Sequence, residues 1–146
     1  MKHENTGRCL QCLAIINRYE GFNQTLKDWF IALQEKHPEV HTSCAGRGIV
    51  DQENLFLRGA TRARWMQSAH NYNAALDLFV VIKGEKSIYP PWWFKDVLAK
   101  NIPQWMEWYG APGAKFPELP HVQMKDWKVL LTRGDIKLII DVKMMA

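Results

Sequence analysis

A chain of 146 residues with 47% hydrophobic content suits one domain with a real core, covering 1–146, and no internal repeat, low-complexity tract or long linker marks a second. The formal net charge of +4 suits an anionic polymer, but the Lys and Arg residues are scattered and no nucleic-acid-binding module is present, so nucleic acid is not the expected partner. No run reaches the ~18 apolar residues needed to span a bilayer, so membrane insertion is not expected, and the stretch 10–16 is too short for a convincing secretory signal.

In chain order, residues 12–19 and 23–36 read as helices, the second with Leu26, Trp29, Phe30 and Leu33 on one face and Pro38 beyond its end. A third helix is expected over 51–58, apolar on Leu55 and Phe56 with Gln52 one turn back. The run 75–82 is apolar and β-rich, as in a buried strand, and Lys83-Gly84-Glu85-Lys86 turns the chain. Tyr89-Pro90-Pro91 interrupts it again, and a helix resumes over 92–101 with Trp93, Val97 and Leu98. After a loop at Gly110-Ala111-Pro112-Gly113, His121-Val122-Gln123-Met124 forms a short strand with His121 and Gln123 on one face. Segments 124–131 and 136–142 finish the chain, the last as an apolar strand or helix. The sum is an α+β domain, helices packed on a small antiparallel sheet. Most of the seven Trp belong to its core, with one or two left for a cleft.

Four polar residues in this pattern carry chemistry: His70, Asp77, Glu118 and His121. A His-x6-Asp spacing alone arises often by chance, but Asp77 lies inside an apolar strand, where an ionised carboxylate is costly unless paired or bound to a metal. Hydrolytic zinc takes three nitrogen or oxygen ligands at about 2.0–2.2 Å and keeps a fourth position for water. His70, Asp77 and His121 can supply the three. Glu118, three residues before the last of them, can stand beside the metal as a base without binding it.

The residues Arg47, Gln52, Leu55-Phe56 and Gly59, then Ser68, His70-Asn71, Ala75 and Asp77, then Glu118 and His121 follow a known order and spacing. From Arg47 through Leu78 the chain resembles the zinc D,D- and L,D-peptidases of peptidase family M15, in particular the L-alanyl-D-glutamate endopeptidases that phages use as endolysins. One departure is Asn73, where the family has Gly; Asn is the residue that best replaces Gly in a left-handed turn.

The resemblance implies a hedgehog/D-Ala-D-Ala peptidase-like fold with Zn²⁺ held by His70, Asp77 and His121 and with Glu118 as general base. It places Arg47 near the substrate, steadying an oxyanion or a carboxylate through forked donors, where the bland alternative is a solvated loop residue between two glycines. Ser68 is expected to cap the turn or bind a ligand, since no His-paired serine motif surrounds it. The implied partner is the peptidoglycan stem peptide, cut at the L-alanyl-D-glutamate bond to lyse a host cell. The implied enzyme is a monomer made in the host cytoplasm and released to the periplasm by a holin. The alternatives are a D-alanyl-D-alanine carboxypeptidase or dipeptidase, and an inactive zinc-binding wall-recognition module. Arg58, Arg62 and Arg64 form a basic patch beside the site, and Glu107, in the Trp-rich segment 105–110, is a fallback base.

Cys9-Leu10-Gln11-Cys12 could be half of a structural zinc site or a redox motif. No second Cys pair exists, and the only further partners are Cys44, His3, His37 and His41. The pair is therefore expected to be two small, buried helical residues.

Overall fold

The computed structural model describes residues 2–113 and 118–140. Its centre is a four-stranded antiparallel sheet of β1 (Val40–Cys44), β2 (Ala75–Val80), β3 (Met106–Trp108) and β4 (His121–Met124), ordered β1-β2-β4-β3. β2 is an interior strand, which is why it reads as a nearly continuous apolar run: Ala75, Leu76, Leu78 and Val80 are fully buried, and Asp77 is the one charged residue among them.

Two strands are not apparent in the sequence. β1 carries His41, Thr42 and Ser43 in its middle, so its apolar alternation is broken, and pairing with β2 is what holds it extended. β3 has three residues, too short for a period to show.

Helices α1 (Leu10–Ile16) and α2 (Gln24–Lys36) pack against β1. α1 stops at Ile16, short of the expected 19, with Asn17 as its C-cap. The Asn23 side chain caps α2 by accepting from the Leu26 N–H at 2.9 Å, and Leu26, Phe30 and Leu33 are buried at helical spacing. α3 (Ile49–Leu57) starts earlier than expected and turns a different face inward: Asp51 and Gln52 are buried, while Leu55 and Phe56 are only partly so. Hydrogen bonding overrides hydrophobic patterning there, because Gln52 accepts from the Arg47 Nη1 at 3.1 Å and donates to the Ala63 carbonyl at 2.6 Å.

The helix expected over 92–101 is present as α4 (Pro91–Trp93), which runs on through a π turn (Phe94–Leu98) and a 3₁₀ turn (Ala99–Asn101). Its Trp93, Phe94 and Leu98 complete the core. α5 (Trp127–Thr132) follows β4. Residues 136–140 are neither helix nor strand, although Ile136 and Ile139 are buried, and the remainder of the expected 136–142 element lies outside the described residues. Among the described residues no helix is long and apolar enough to cross a membrane.

Candidate metal centre

The β2–β4 register sets Asp77 directly opposite His121, so both side chains leave the same face of the sheet. His70 comes from a 3₁₀ turn, Ala69–Tyr72, just ahead of β2. Ser68 caps that turn, its hydroxyl accepting from the His70 N–H at 3.2 Å in a capping box with Asn71. Asn73 closes it in the left-handed conformation, φ 55°, as its replacement of Gly anticipates. The chain packs so tightly here that a Cβ on Gly46 would lie 2.3 Å from the Asn73 Oδ1.

One oxygen, Oδ1 of Asp77, meets two imidazoles: His70 Nε2 at 3.2 Å and His121 Nδ1 at 3.3 Å. Ligands at about 2.0–2.2 Å around a tetrahedral metal stand about 3.4 Å apart, and each imidazole's separation from Asp77 Oδ1 has about that length. The outer nitrogens are committed elsewhere. His70 Nδ1 lies 2.6 Å from the Ala45 carbonyl, and His121 Nε2 lies 2.7 Å from the Gln123 Oε1. Gln123 donates its amide to Glu107, which fixes its oxygen toward His121 and leaves the His121 Nδ1 lone pair facing Asp77. Burial pushes His70 down, but the Asp77 charge more than reverses it, to about 10, and the same pairing overcomes burial to hold Asp77 well below the carboxylate range. Without a metal, a proton between Nε2 and Oδ1 stands in for the cation.

Arg47 is buried, not a solvated loop residue. Its Nη2 is 3.4 Å from both Asp77 Oδ2 and Cys44 Sγ, and its backbone N–H donates to the His70 carbonyl at 2.9 Å. Among the described residues, donor atoms of Cys44, His70 and Asp77 all lie within 4.8 Å of one another, a grouping that leaves out His121. The Cys44 sulfur, however, is 3.9 Å from His70 Nδ1, the nitrogen already held by Ala45, and it accepts from the Arg47 Nη2 at 3.4 Å. His70 and His121 meet instead on the other carboxylate oxygen, Asp77 Oδ1. Burial pushes the Cys44 thiol up, but His70 and Arg47 outweigh it and bring it below its usual value.

Glu118 is exposed and lines the same cleft as Arg47, His70, Asp77 and His121. Its backbone sits between Tyr109 and His121, donating to the Tyr109 carbonyl and accepting from the His121 N–H, each at 3.2 Å. Trp108 Nε1 secures the same turn through the Leu119 carbonyl at 2.7 Å. All five residues singled out in the sequence therefore face one cleft. Glu107, the fallback base, is bonded to Gln123. Of the basic patch, Arg62 lines the cleft, joined by Lys125 and Lys128, whereas Arg64 is paired with Glu53 at 2.9 Å. The cleft tryptophan is Trp127, stacked on Tyr72 at 5.1 Å.

Sequence reasoning missed the outer supports. Gln123 follows His121 by one strand period, which was the available signal, but Ala45 acts through its carbonyl and leaves none. Tyr109, whose ring lies 4.3 Å from that of His121, sits just past a strand too short to anticipate.

No protein-family profile and no curated protein matches the chain by sequence. Its fold is similar to that of the L-Ala D-Glu endopeptidase ChiX of Serratia marcescens, with a TM-score of 0.64 over 82% of this chain and 90% of that one, at 14% identity. The fold is related to that of a peptidase. The central antiparallel sheet and the possible metal site agree with the α+β architecture expected from the sequence.

Proposed function

We propose that this chain is a zinc-dependent peptidoglycan peptidase that hydrolyses the L-alanyl-D-glutamate bond of wall stem peptides. The observation that carries this reading is the meeting of His70 and His121 on one oxygen of Asp77, in a cleft shared with Glu118 and Arg47. The likeness to an L-Ala D-Glu endopeptidase supports the choice of substrate.

In this reading His70, Asp77 and His121 hold the Zn²⁺, which when bound polarises a scissile carbonyl and lowers the pKa of water toward ~7. Glu118 accepts the proton of the attacking water and returns it to the leaving amine, a role suited to an exposed carboxylate free to approach substrate. Arg47 holds Oδ2 of Asp77, which turns Oδ1 toward the imidazoles, and its charge stands where an oxyanion or substrate carboxylate is stabilised. Arg62, Lys125 and Lys128 on the cleft walls favour an acidic stem peptide. In a lysis role the enzyme acts on the periplasmic wall after release through a holin.

The test is digestion of purified sacculi. Peptide release is expected from the native protein, abolished by chelation and restored by zinc. Release that survives exhaustive chelation contradicts the metal-dependent reading.

A further inference from the structure

The Cys9-Cys12 pair does more than fill the core. Cys9 is the N-cap residue of α1 and Cys12 lies in its first turn, with relative exposures of 1% and 0%, as expected for a buried helical pair. Of the further partners that the sequence offered, folding brings two imidazoles, His3 and His41, to their sulfurs. His3 reaches in from the segment before α1, and His41 points inward from β1. His3 Nδ1 is 3.3 Å from each sulfur, and His41 Nδ1 is 3.5 Å from Cys12 Sγ. One donor atom from each of the four residues lies within 4.8 Å of all the others.

A tetrahedral ion with Zn–S about 2.3 Å and Zn–N about 2.0–2.1 Å sets sulfur and nitrogen about 3.5 Å apart. The three observed separations match that edge. Hydrogen bonding alone accounts for them poorly, because one His3 lone pair cannot serve two thiols at once.

The surroundings supply a second line of argument. N–H groups aim at the sulfurs, as they do at electron-rich thiolates: Cys12 N–H at Cys9 Sγ (3.4 Å), and Thr42 N–H (3.4 Å) and Gln34 Nε2 (3.5 Å) at Cys12 Sγ. His41 Nε2 is 2.7 Å from the Asn5 Oδ1, and the Asn5 amide donates to the Val81 carbonyl at 2.8 Å, which orients the oxygen. His41 thus gives its proton to Asn5 and presents the Nδ1 lone pair to the sulfurs, the outer support that metal-bound histidines have.

We propose that His3, Cys9, Cys12 and His41 form a second metal site, a closed Cys₂His₂ cage for structural zinc, distinct from the centre in the cleft. Two thiolates and two imidazoles in a tetrahedral set select zinc over harder cations. Four protein ligands leave no open position, so the site is structural. The thiols are free and fully buried, which argues against a redox pair, since an attacking thiolate must be reachable. A bound ion would staple the segment around His3 and the start of α1 to β1, whose far end carries Cys44 against Asp77.

The test is zinc content of the full chain, with cobalt substitution as a second readout. Native protein should hold a zinc that His70→Ala with His121→Ala keeps and Cys9→Ser with Cys12→Ser loses. Should the cysteine variant fail to fold, Co²⁺ added to the chelated His70→Ala, His121→Ala protein should still give thiolate-to-cobalt charge-transfer absorption near one equivalent, unchanged by a further Cys44→Ser. Zinc undiminished in the cysteine variant, charge transfer that vanishes with Cys44→Ser, or a Cys9-Cys12 disulfide in zinc-free native protein would each overturn the proposal. If the cleft holds no metal, the native protein should contain one zinc, all of it lost with the two cysteines, so the two readings fail separately.

Discussion

Asp77 and His121 face each other across the β2–β4 pair, with Asp77 Oδ1 at 3.3 Å from His121 Nδ1. A one-residue slip of that register would send both side chains to the opposite face, so the core packing of Leu76, Leu78 and Val122 on β2 and β4 also fixes how Asp77 and His121 meet. His70→Ala or His121→Ala should therefore lower bound zinc by one equivalent relative to native protein, as read by elemental analysis. Unchanged zinc in both would remove them from the ligand set.

Glu118 lines the cleft and bonds the proposed ligands only through its backbone carbonyl, which accepts from the His121 N–H, so the acid–base role of its side chain is separable from metal binding. Glu118→Gln should keep zinc at the native level while kcat falls by on the order of 10²–10⁴. Activity near native would move the proton transfer to another group.

Gln123 is expected to act through His121. Gln123→Ala frees the His121 Nε2 and should weaken zinc in the cleft by roughly 10–100-fold. Competition against a chromophoric chelator measures this, and Gln123→Glu, which keeps an acceptor, should recover most of the affinity. Equal affinity in native protein and Gln123→Ala would show that the contact orients nothing.

The metal-free protein should become less stable as pH rises. His70 is raised from about 6.5 to about 10 in the folded chain, so its contribution is complete below about 6.5 and is lost as pH rises through 10. Thermal melts in chelator should show Tm falling between pH 7 and 9, and His70→Gln should flatten the fall. A Tm that holds or rises over that window in the chelated native protein contradicts the His70–Asp77 ion pair.

The sequence exposed whatever depends on residue type within one segment. α2 could be read from Leu26, Phe30 and Leu33, the buried β2 from its apolar run, and the left-handed turn from Asn73 standing where glycine was expected. Asp77 betrayed the site because a carboxylate in an interior strand needs a partner. What stayed hidden depends on contacts between distant segments. β1 is held extended by β2, α3 turns Gln52 inward to reach Arg47, and His3 and His41 meet the Cys pair only after folding.

The most direct measurement is mass spectrometry of the peptides released from purified peptidoglycan by native protein, with and without chelator. New peptides beginning with D-Glu, L-Ala left on the muramyl side, uncut glycan strands and silence under chelation are the expected result. Free D-Ala as the sole product would replace the endopeptidase with a carboxypeptidase on the same metal site. Cleaved glycan with intact stem peptides would contradict the account.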